Sequence, residues 1–572
     1  MDIDYAGRAG AALYTDLVMI DGVLVGTSRY GGAIESWTSD LSQIDSLAHT
    51  RTDTAGGEAE LTVVNFSDGP ALMTGGGANG SLQVIGVTDG ALSTAIDYGE
   101  FSWPSDITAS AAVTLTNGRI GFYGGFCGED GIARLQFAGN GALHGTGYTP
   151  DTAQSYASSI TAMTTASFGA TQYIVTLAQE MNGLTLWSVA DNGNLWAEDT
   201  VDATDGLWIT APTAIETVVI GANTYMIVAA AGSGSLSVVT LDATGAMSVI
   251  DHVIDDLDTR FAGVTALATI QVDGETWVAA GGADDGVSVF ALLPNGMLEP
   301  IAHMADTVTA GLADVSTIEL GSTAGIIDIY VGSASETGIT HLTFDPNGAT
   351  ISGTNAAETL LGTDGDDLIL DSGGIDIMTG GAGEDVFIFA PDGSPDTITD
   401  FTLGQDRIDI GSWGLIRNLS QIGYTETDEG LTLTYGDETL HIQSTNPLTW
   451  DQLDQITRRI DVIRARIDEE RGKFGAGENG DPAYATTIAE YERLAADREF
   501  AELAYGAARQ AYDGAIAEAQ RQSLYLGSYI QPTLAERASY PRREVILGLV
   551  LLLTTLGWAV MALIYYSLRD RP

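Results

Sequence analysis

Between residues 10 and 348 apolar and polar side chains alternate in short runs, such as "GLTLWSVA" at 183–190, "GSLSVVTL" at 234–241 and "GVSVFALL" at 286–293. Period-two alternation puts every second side chain on one face, the pattern of a half-buried strand. The runs recur at a fixed distance. A turn glycine stands at Gly90, Gly141, Gly193, Gly245, Gly296 and Gly348, and a second ladder runs through Gly80, Gly131, Gly183, Gly234, Gly286 and Gly338. Neighbours in each ladder lie 51 or 52 residues apart. The turns "DNGN" at 191–194 and "PNGM" at 294–297 supply residues that tolerate positive φ. About four short strands per repeat make a propeller blade. Six repeats are clear, and "GGAIESWTSDLSQID" at 31–45 stands one period before the first. The expectation is a seven-bladed β-propeller over 1–348, with strands in 11–30 completing the last blade. The small runs "AAA" at 229–231 and "GGA" at 281–283 are expected on inner strands around a central channel.

The alternation then gives way to nine-residue frames opening at Gly353, Gly362, Asp371 and Gly380: "GTNAAETLL", "GTDGDDLIL", "DSGGIDIMT" and "GGAGEDVFI". Position six holds Glu358, Asp367, Asp376 and Asp385, and position eight holds Leu360, Ile369, Met378 and Phe387. This array resembles the repeat-in-toxin (RTX, hemolysin-type) nonapeptide, which implies a parallel β-roll over 349–392 that binds Ca2+. The spacing has a physical reading. Six glycine-rich residues make a tight half-turn, three make a short strand, and two frames complete one coil. Frames one and three, and two and four, then stack. Carboxylates and carbonyls from stacked turns surround a hard cation with oxygen. The candidate metal residues are Gly362, Asp364, Asp366, Asp367, Asp376, Gly380, Gly381, Gly383 and Asp385. Asp367 with Asp385 is the best pair; Asp376 has only Glu358 opposite it, and Asp364 and Asp366 add ligands or negative field. "PDTITDFTLGQDRIDIGSW" at 395–413 resembles the β-rich cap that follows such arrays, here set at 393–453.

From Leu453 the period changes. Leu453, Ile456, Ile460, Ile463 and Ile467 form a heptad seam, and an alanine-rich stretch follows "GKFGAGENGDP" at 472–482. The expectation is an α-helical hairpin or coiled coil over 454–526, through which the chain is expected to form oligomers, then a proline-containing juxtamembrane segment at 527–544. Residues 545–568 are uncharged and long enough to cross ~30 Å of hydrocarbon, so one C-terminal transmembrane helix is expected.

Charge divides the chain at the same place. Residues 455–572 hold 15 of the 23 Lys and Arg but 16 of the 77 Asp and Glu, so the formal charge of −54 rests almost wholly on residues 1–454. Such a surface repels phosphate and excludes nucleic acid as a partner. One cysteine, Cys127, excludes an intramolecular disulfide. "MDIDYAGRAGAALYTDLVMI" has no basic region before an apolar core and does not read as a secretory signal peptide.

"RQSLYLGSYIQP" at 521–532, "ASYPRR" at 538–543 and the apolar run after them resemble the C-terminal part of capsule polysaccharide export inner-membrane proteins, of the chain-length-determinant co-polymerase family. That resemblance implies the membrane and a polysaccharide export transporter as partners. It also implies the inner membrane of a Gram-negative bacterium, with the bulk periplasmic; a secreted or cell-surface location is the alternative. The repeats at 10–348 resemble lactonase-like bacterial propellers in architecture. Three functions follow: a calcium-binding, non-catalytic interaction or surface protein; a capsule-export component with an appended propeller; and a propeller enzyme. The six histidines fall at different places in different repeats, and Glu129, Asp130, Asp284 and Asp285 read as loop acids. No catalytic constellation is therefore expected.

Overall fold

The computed structural model describes residues 1–28, 33–48, 61–74, 81–101, 107–126, 128–152, 154–169, 171–256, 258–414, 416, 421–428, 430–444 and 543–569. The chain divides into two units, Met1–Lys473 and Phe474–Pro572.

The first unit is mainly β. Seven antiparallel meanders follow one another, and the first strands of neighbouring blades pack side by side around the axis. The fifth blade is representative: Pro212–Ile220, Asn223–Ala230, Ser235–Leu241 and Met247–Ile254. The turn-glycine ladder falls between third and fourth strands, where Gly141, Gly193, Gly245 and Gly296 take φ between 72 and 87°. Gly348 departs from it: a Cβ there would strike the Asp366 backbone, so it belongs to the roll.

Two expectations are corrected. The ring is closed by Ile3–Ala9, which pairs antiparallel with Ile339–Phe344, with Ile3 opposite Phe344 and Ala9 opposite Ile339. Residues 14–28 instead form the first two strands of the first blade. "GRAGAAL" at 7–13 carries no strong alternation, so the sequence gave no signal of where the closing strand ends. The small runs at 229–230 and 281–282 lie on second strands, not on the innermost ones. They serve close packing within and between blades: a Cβ at Gly282 would lie 2.6 Å from the Cα of Val264, its strand partner in the same blade, and one at Gly281 would lie 3.0 Å from Val315 Cγ1 of the next blade.

Acidic side chains staple the blades. Leu92 N donates to Asp45 (2.9 Å), Met247 N to Asp199 (2.7 Å) and Leu298 N to Asp251 (2.8 Å), each bond crossing to the next blade. Asp151, Asp255 and Asp306 accept from Ala157, Phe261 and Leu312 across the crossovers, at 3.0, 2.9 and 2.7 Å. Much of the acidity is thus structural, satisfying amides that would otherwise be orphaned.

A parallel β-solenoid follows. Thr350–Ser352, Leu368–Leu370, Val386–Ile388 and Arg407–Asp409 form one sheet. Thr359–Leu361, Ile377–Thr379 and Pro395–Ile398 start the other, which Glu438–Gln443, Gly430–Tyr435 and Gly423–Glu426 extend. Leu368 pairs with Val386 and Thr359 with Ile377, the one-with-three and two-with-four stacking expected of the frames. Leu360, Ile369, Met378 and Phe387 point inward and share one core with Phe401, Trp413 and Leu440. The outer faces differ. Leu368, Leu370, Val386 and Ile388 are buried against the propeller beside Trp277, Leu293 and Phe344. On the other sheet Leu361 and Ile377 are exposed. Thr350 N donates to Glu275 Oε1 (2.6 Å), and Arg407 Nη1 donates to Pro300 O (3.3 Å), tying the roll to the sixth blade.

The expected hairpin at 454–526 and juxtamembrane segment at 527–544 lie outside the described residues, apart from the start of one helix, Arg543–Arg569. The inner-membrane location is corrected: among the described residues no helix is long and apolar enough to cross a membrane.

The docking of roll on propeller sets a stability expectation. Leu370→Ala removes a buried side chain from the shared core, and a loss of about 2–5 kcal/mol is expected in urea unfolding of the full chain. Leu361→Ala, on the exposed outer face, is expected to leave the midpoint nearly unchanged.

Candidate metal centre

Residues 345–406 carry 13 Asp and Glu and no Lys, Arg or His. The solenoid stacks these acids on two edges. The turns touch through bare backbone: a Cβ at Gly374 would lie 2.6 Å from Ala356 O, and one at Gly383 would strike the Gly365 carbonyl. Gly381 and Gly383 also adopt φ of 107 and 128°, which favours glycine.

On one edge Asp385 Oδ1 accepts from Asp367 N at 2.9 Å, and Asp406 Oδ1 accepts from Asp385 N at 3.3 Å. Asp367 turns back on its own loop, accepting from Thr363 N (2.6 Å) and from Ala349 N of the coil before (2.7 Å). Asp366 Oδ1 accepts from Glu384 N at 2.7 Å. Gly362 and Gly380 lie against the Asp367 and Asp385 carboxylates. Asp364 is exposed.

Asp376 lies on the other edge. Its Oδ1 accepts from Glu358 N at 2.7 Å, and Asp396 Oδ1 accepts from Asp376 N at 2.8 Å. Asp371 joins it there, with Oδ1 accepting from Ala390 N at 2.8 Å. The second oxygens of Asp371 and Asp376 are buried and have no hydrogen-bond partner among the described residues. An open carboxylate oxygen in the interior costs free energy unless a proton or a cation meets it.

Sequence reasoning missed Asp371, Asp396 and Asp406 as members of these edges. Asp371 occupies the first position of its frame, where the pattern has glycine. Asp396 and Asp406 follow Asp376 and Asp385 by 20 and 21 residues, beyond the 18-residue coil. The signal was the acid at the start of "DSGGID" and the acids repeating through the cap.

Electrostatics follows from burial. Asp371 is pushed up to about 7 by burial first and then by Asp396, Asp392 and Asp376. Asp385 is pushed up to about 7 by burial and then by Asp406, Asp367 and Asp400. Asp396 rises to about 6 for the same reasons, with Asp392, Asp376 and Glu438 as neighbours. Asp376 and Asp406 also rise, burial leading. Each group binds its proton more tightly folded than unfolded. Among the described residues no three His, Cys, Asp or Glu side chains converge as a ready metal cluster. A hard cation here would take part of its oxygen shell from the carbonyls of the touching turns.

The propeller offers a weaker candidate. Asp16, Glu216 and Glu319 come from the first strands of three blades. Glu216 is pushed up to about 7 by burial and then by Asp16; Glu319 is raised further, by burial and then by Glu216 and Asp16. The histidines stay apart: His252 meets Ser237 (2.8 Å), His341 meets Asp328 (2.8 Å) and His441 meets Thr432 (3.0 Å). Asp284 faces Arg260 at 3.7 Å, and Asp285 accepts from Asp314 N at 3.1 Å.

Residues 322–456 match the model of the peptidase M10 serralysin C-terminal family. A stretch of 159 residues, 26% of this chain, is 27% identical to the capsule polysaccharide export inner-membrane protein CtrB of Neisseria meningitidis serogroup B. The match spans 39% of the length of that relative. Among solved structures, Chaetomium thermophilum Raptor aligns with 60% of this chain and 30% of its own, at 13% identity and a TM-score of 0.42. A Lactobacillus plantarum protein aligns with 52% of this chain and 87% of its own, at 15% identity and a TM-score of 0.39.

The pKa shifts fix a sign. An Asp at about 3.9 unfolded and about 7 folded leaves stability intact below the unfolded value and removes it as pH rises toward the folded one. In chelator, the roll is expected to lose thermal stability from about pH 4 to about pH 7 and to level off above. Asp371→Asn is expected to flatten that slope in thermal unfolding followed at several pH values.

Proposed function

We propose that the chain is a calcium-binding RTX-type protein, in which the roll binds the ion and the propeller it carries has a binding rather than a catalytic role. The observation that supports this best is the pair of buried, partnerless oxygens on Asp371 and Asp376. The match to the serralysin C-terminal family over the same residues supports it independently.

Asp367 and Asp385 would hold calcium on one edge, with the backbone of Gly362, Gly380, Gly381 and Gly383. Asp371, Asp376 and Asp396 would hold it on the other. Asp364 and Asp366 would add to the field. When bound, the ion supplies the positive charge that the stretch lacks and accepts oxygens at about 2.3–2.6 Å. The glycines serve by leaving the carbonyls bare. The apolar residues at position eight close the coil beneath the turns and keep water from the carboxylates.

Because the roll shares a core with the sixth and seventh blades, calcium is expected to stabilise more than the roll. Millimolar calcium is expected to raise the melting temperature of the full chain, since a ligand that binds only the folded state shifts unfolding by mass action. Asp376→Asn with Asp371→Asn is expected to weaken the half-saturating concentration by about tenfold, or about 1.4 kcal/mol. An unchanged melting curve on adding calcium, or a double variant that responds like the parent, would reject the reading.

A further inference from the structure

We propose that the groove between the fourth strands of the fifth and sixth blades and the roll's Leu403–Gly411 turn binds a neutral oligosaccharide. This deepens the calcium reading and rests on it, because one wall belongs to the roll.

The groove encloses 1330 Å³ and is open along its length. That exceeds the roughly 300–1,000 Å³ of a pocket for one small molecule, so an extended ligand fits better. Met247–Ile254 and Leu298–Ala305 form two walls. Half-buried Trp208 lines it, with the His252 ring edge-on at 6.3 Å between centroids. Ser237 Oγ lies 2.8 Å from His252 Nδ1, and Nε2 has no protein partner among the described residues. Burial pushes His252 down to about 4, so at neutral pH the ring is an uncharged hydrogen-bonding group. Ile250, 40% exposed, and Pro300 add apolar surface.

Nine carboxylates line the groove, and three of them are partly committed to backbone amides at its rim. Asp205 accepts from Asp202 N (3.2 Å), Asp251 from Leu298 N (2.8 Å) and Asp256 from Asp258 N (2.8 Å). What they have left is acceptor capacity, so the ligand must bring donors. A sugar ring presents hydroxyl donors at its edge and apolar C–H groups on its face, which suits an indole beside acceptors. A polyanion is repelled. A polycation is attracted by the whole acidic chain and gains nothing specific here, while Arg407, the one Lys or Arg in the lining, is held to Pro300 O.

The groove is coupled to the metal edge through Asp406. Its carboxylate accepts from Thr402 N at 2.6 Å and from Asp385 N at 3.3 Å, so the same side chain shapes the groove's turn and ends the acidic ladder.

The test is calorimetric titration of the full chain with chito- and malto-oligosaccharides and with a lysine-rich peptide, in calcium and in chelator. Far-ultraviolet circular dichroism of the same samples reports the order of the roll. Saturable sugar binding in calcium is expected, weakened at least about tenfold by Trp208→Ala. Trp196→Ala, which removes a 63%-exposed tryptophan outside the groove, is expected to leave it intact. A calcium-ordered roll with no sugar bound overturns the groove and leaves the calcium reading standing. A roll indifferent to calcium overturns the calcium reading; sugar binding under those conditions keeps the site and removes its coupling. Equal loss in both variants, or Trp208-dependent binding of the peptide alone, overturns the sugar assignment.

Discussion

The first unit depends on one constraint: thirteen carboxylates and no cationic side chain in the stretch 345–406, wound so tightly that successive turns touch through glycine. Packing gives this stretch its shape, through Ile369, Phe387 and their neighbours in the core. It does not remove the charge. Buried acids stacked turn upon turn, each accepting from an amide of a neighbouring turn, either keep protons or meet a cation. The raised pKa values of Asp371, Asp385 and Asp396 are the protonic form of that constraint. The open oxygens of Asp371 and Asp376 are its geometric form.

The constraint reaches the propeller because the roll is not a separate body on a linker. Position seven and nine residues of alternate frames, Leu368, Leu370, Val386 and Ile388, pack into the core of the last blades. Whatever orders the roll therefore orders a blade face as well. Elsewhere the acidity of the chain has a plainer use. Asp45, Asp199 and Asp251 each take an amide of the next blade, and Asp151, Asp255 and Asp306 cap the crossovers. An acidic loop residue in this fold is first of all a backbone acceptor.

Periodicity made the blades and the coils legible, because both repeat their turn chemistry at fixed spacing. The closing strand Ile3–Ala9 was not legible: its partner lies more than three hundred residues away, and nothing local in "IDYAGRA" names it. The small-residue runs were visible, but their place on second strands depends on which neighbouring blade they face. Of the metal edges, the in-register acids at 367, 376 and 385 could be read from the frames. Asp371 hid in a glycine position, and Asp396 and Asp406 followed coils lengthened by two and three residues. Alternate frames differ only in part outside the core, with Leu368, Leu370, Val386 and Ile388 against Thr359, Leu361, Ile377 and Thr379, so the sequence does not say which outer face is covered.

The most direct test of the account is a crystal structure of the chain grown in millimolar calcium, with anomalous scattering used to place the ion. The account predicts cations between stacked turns, one of them within about 2.3–2.6 Å of the Asp376 Oδ2 atom. Turns that hold only water or protonated carboxylates at saturating calcium would contradict it.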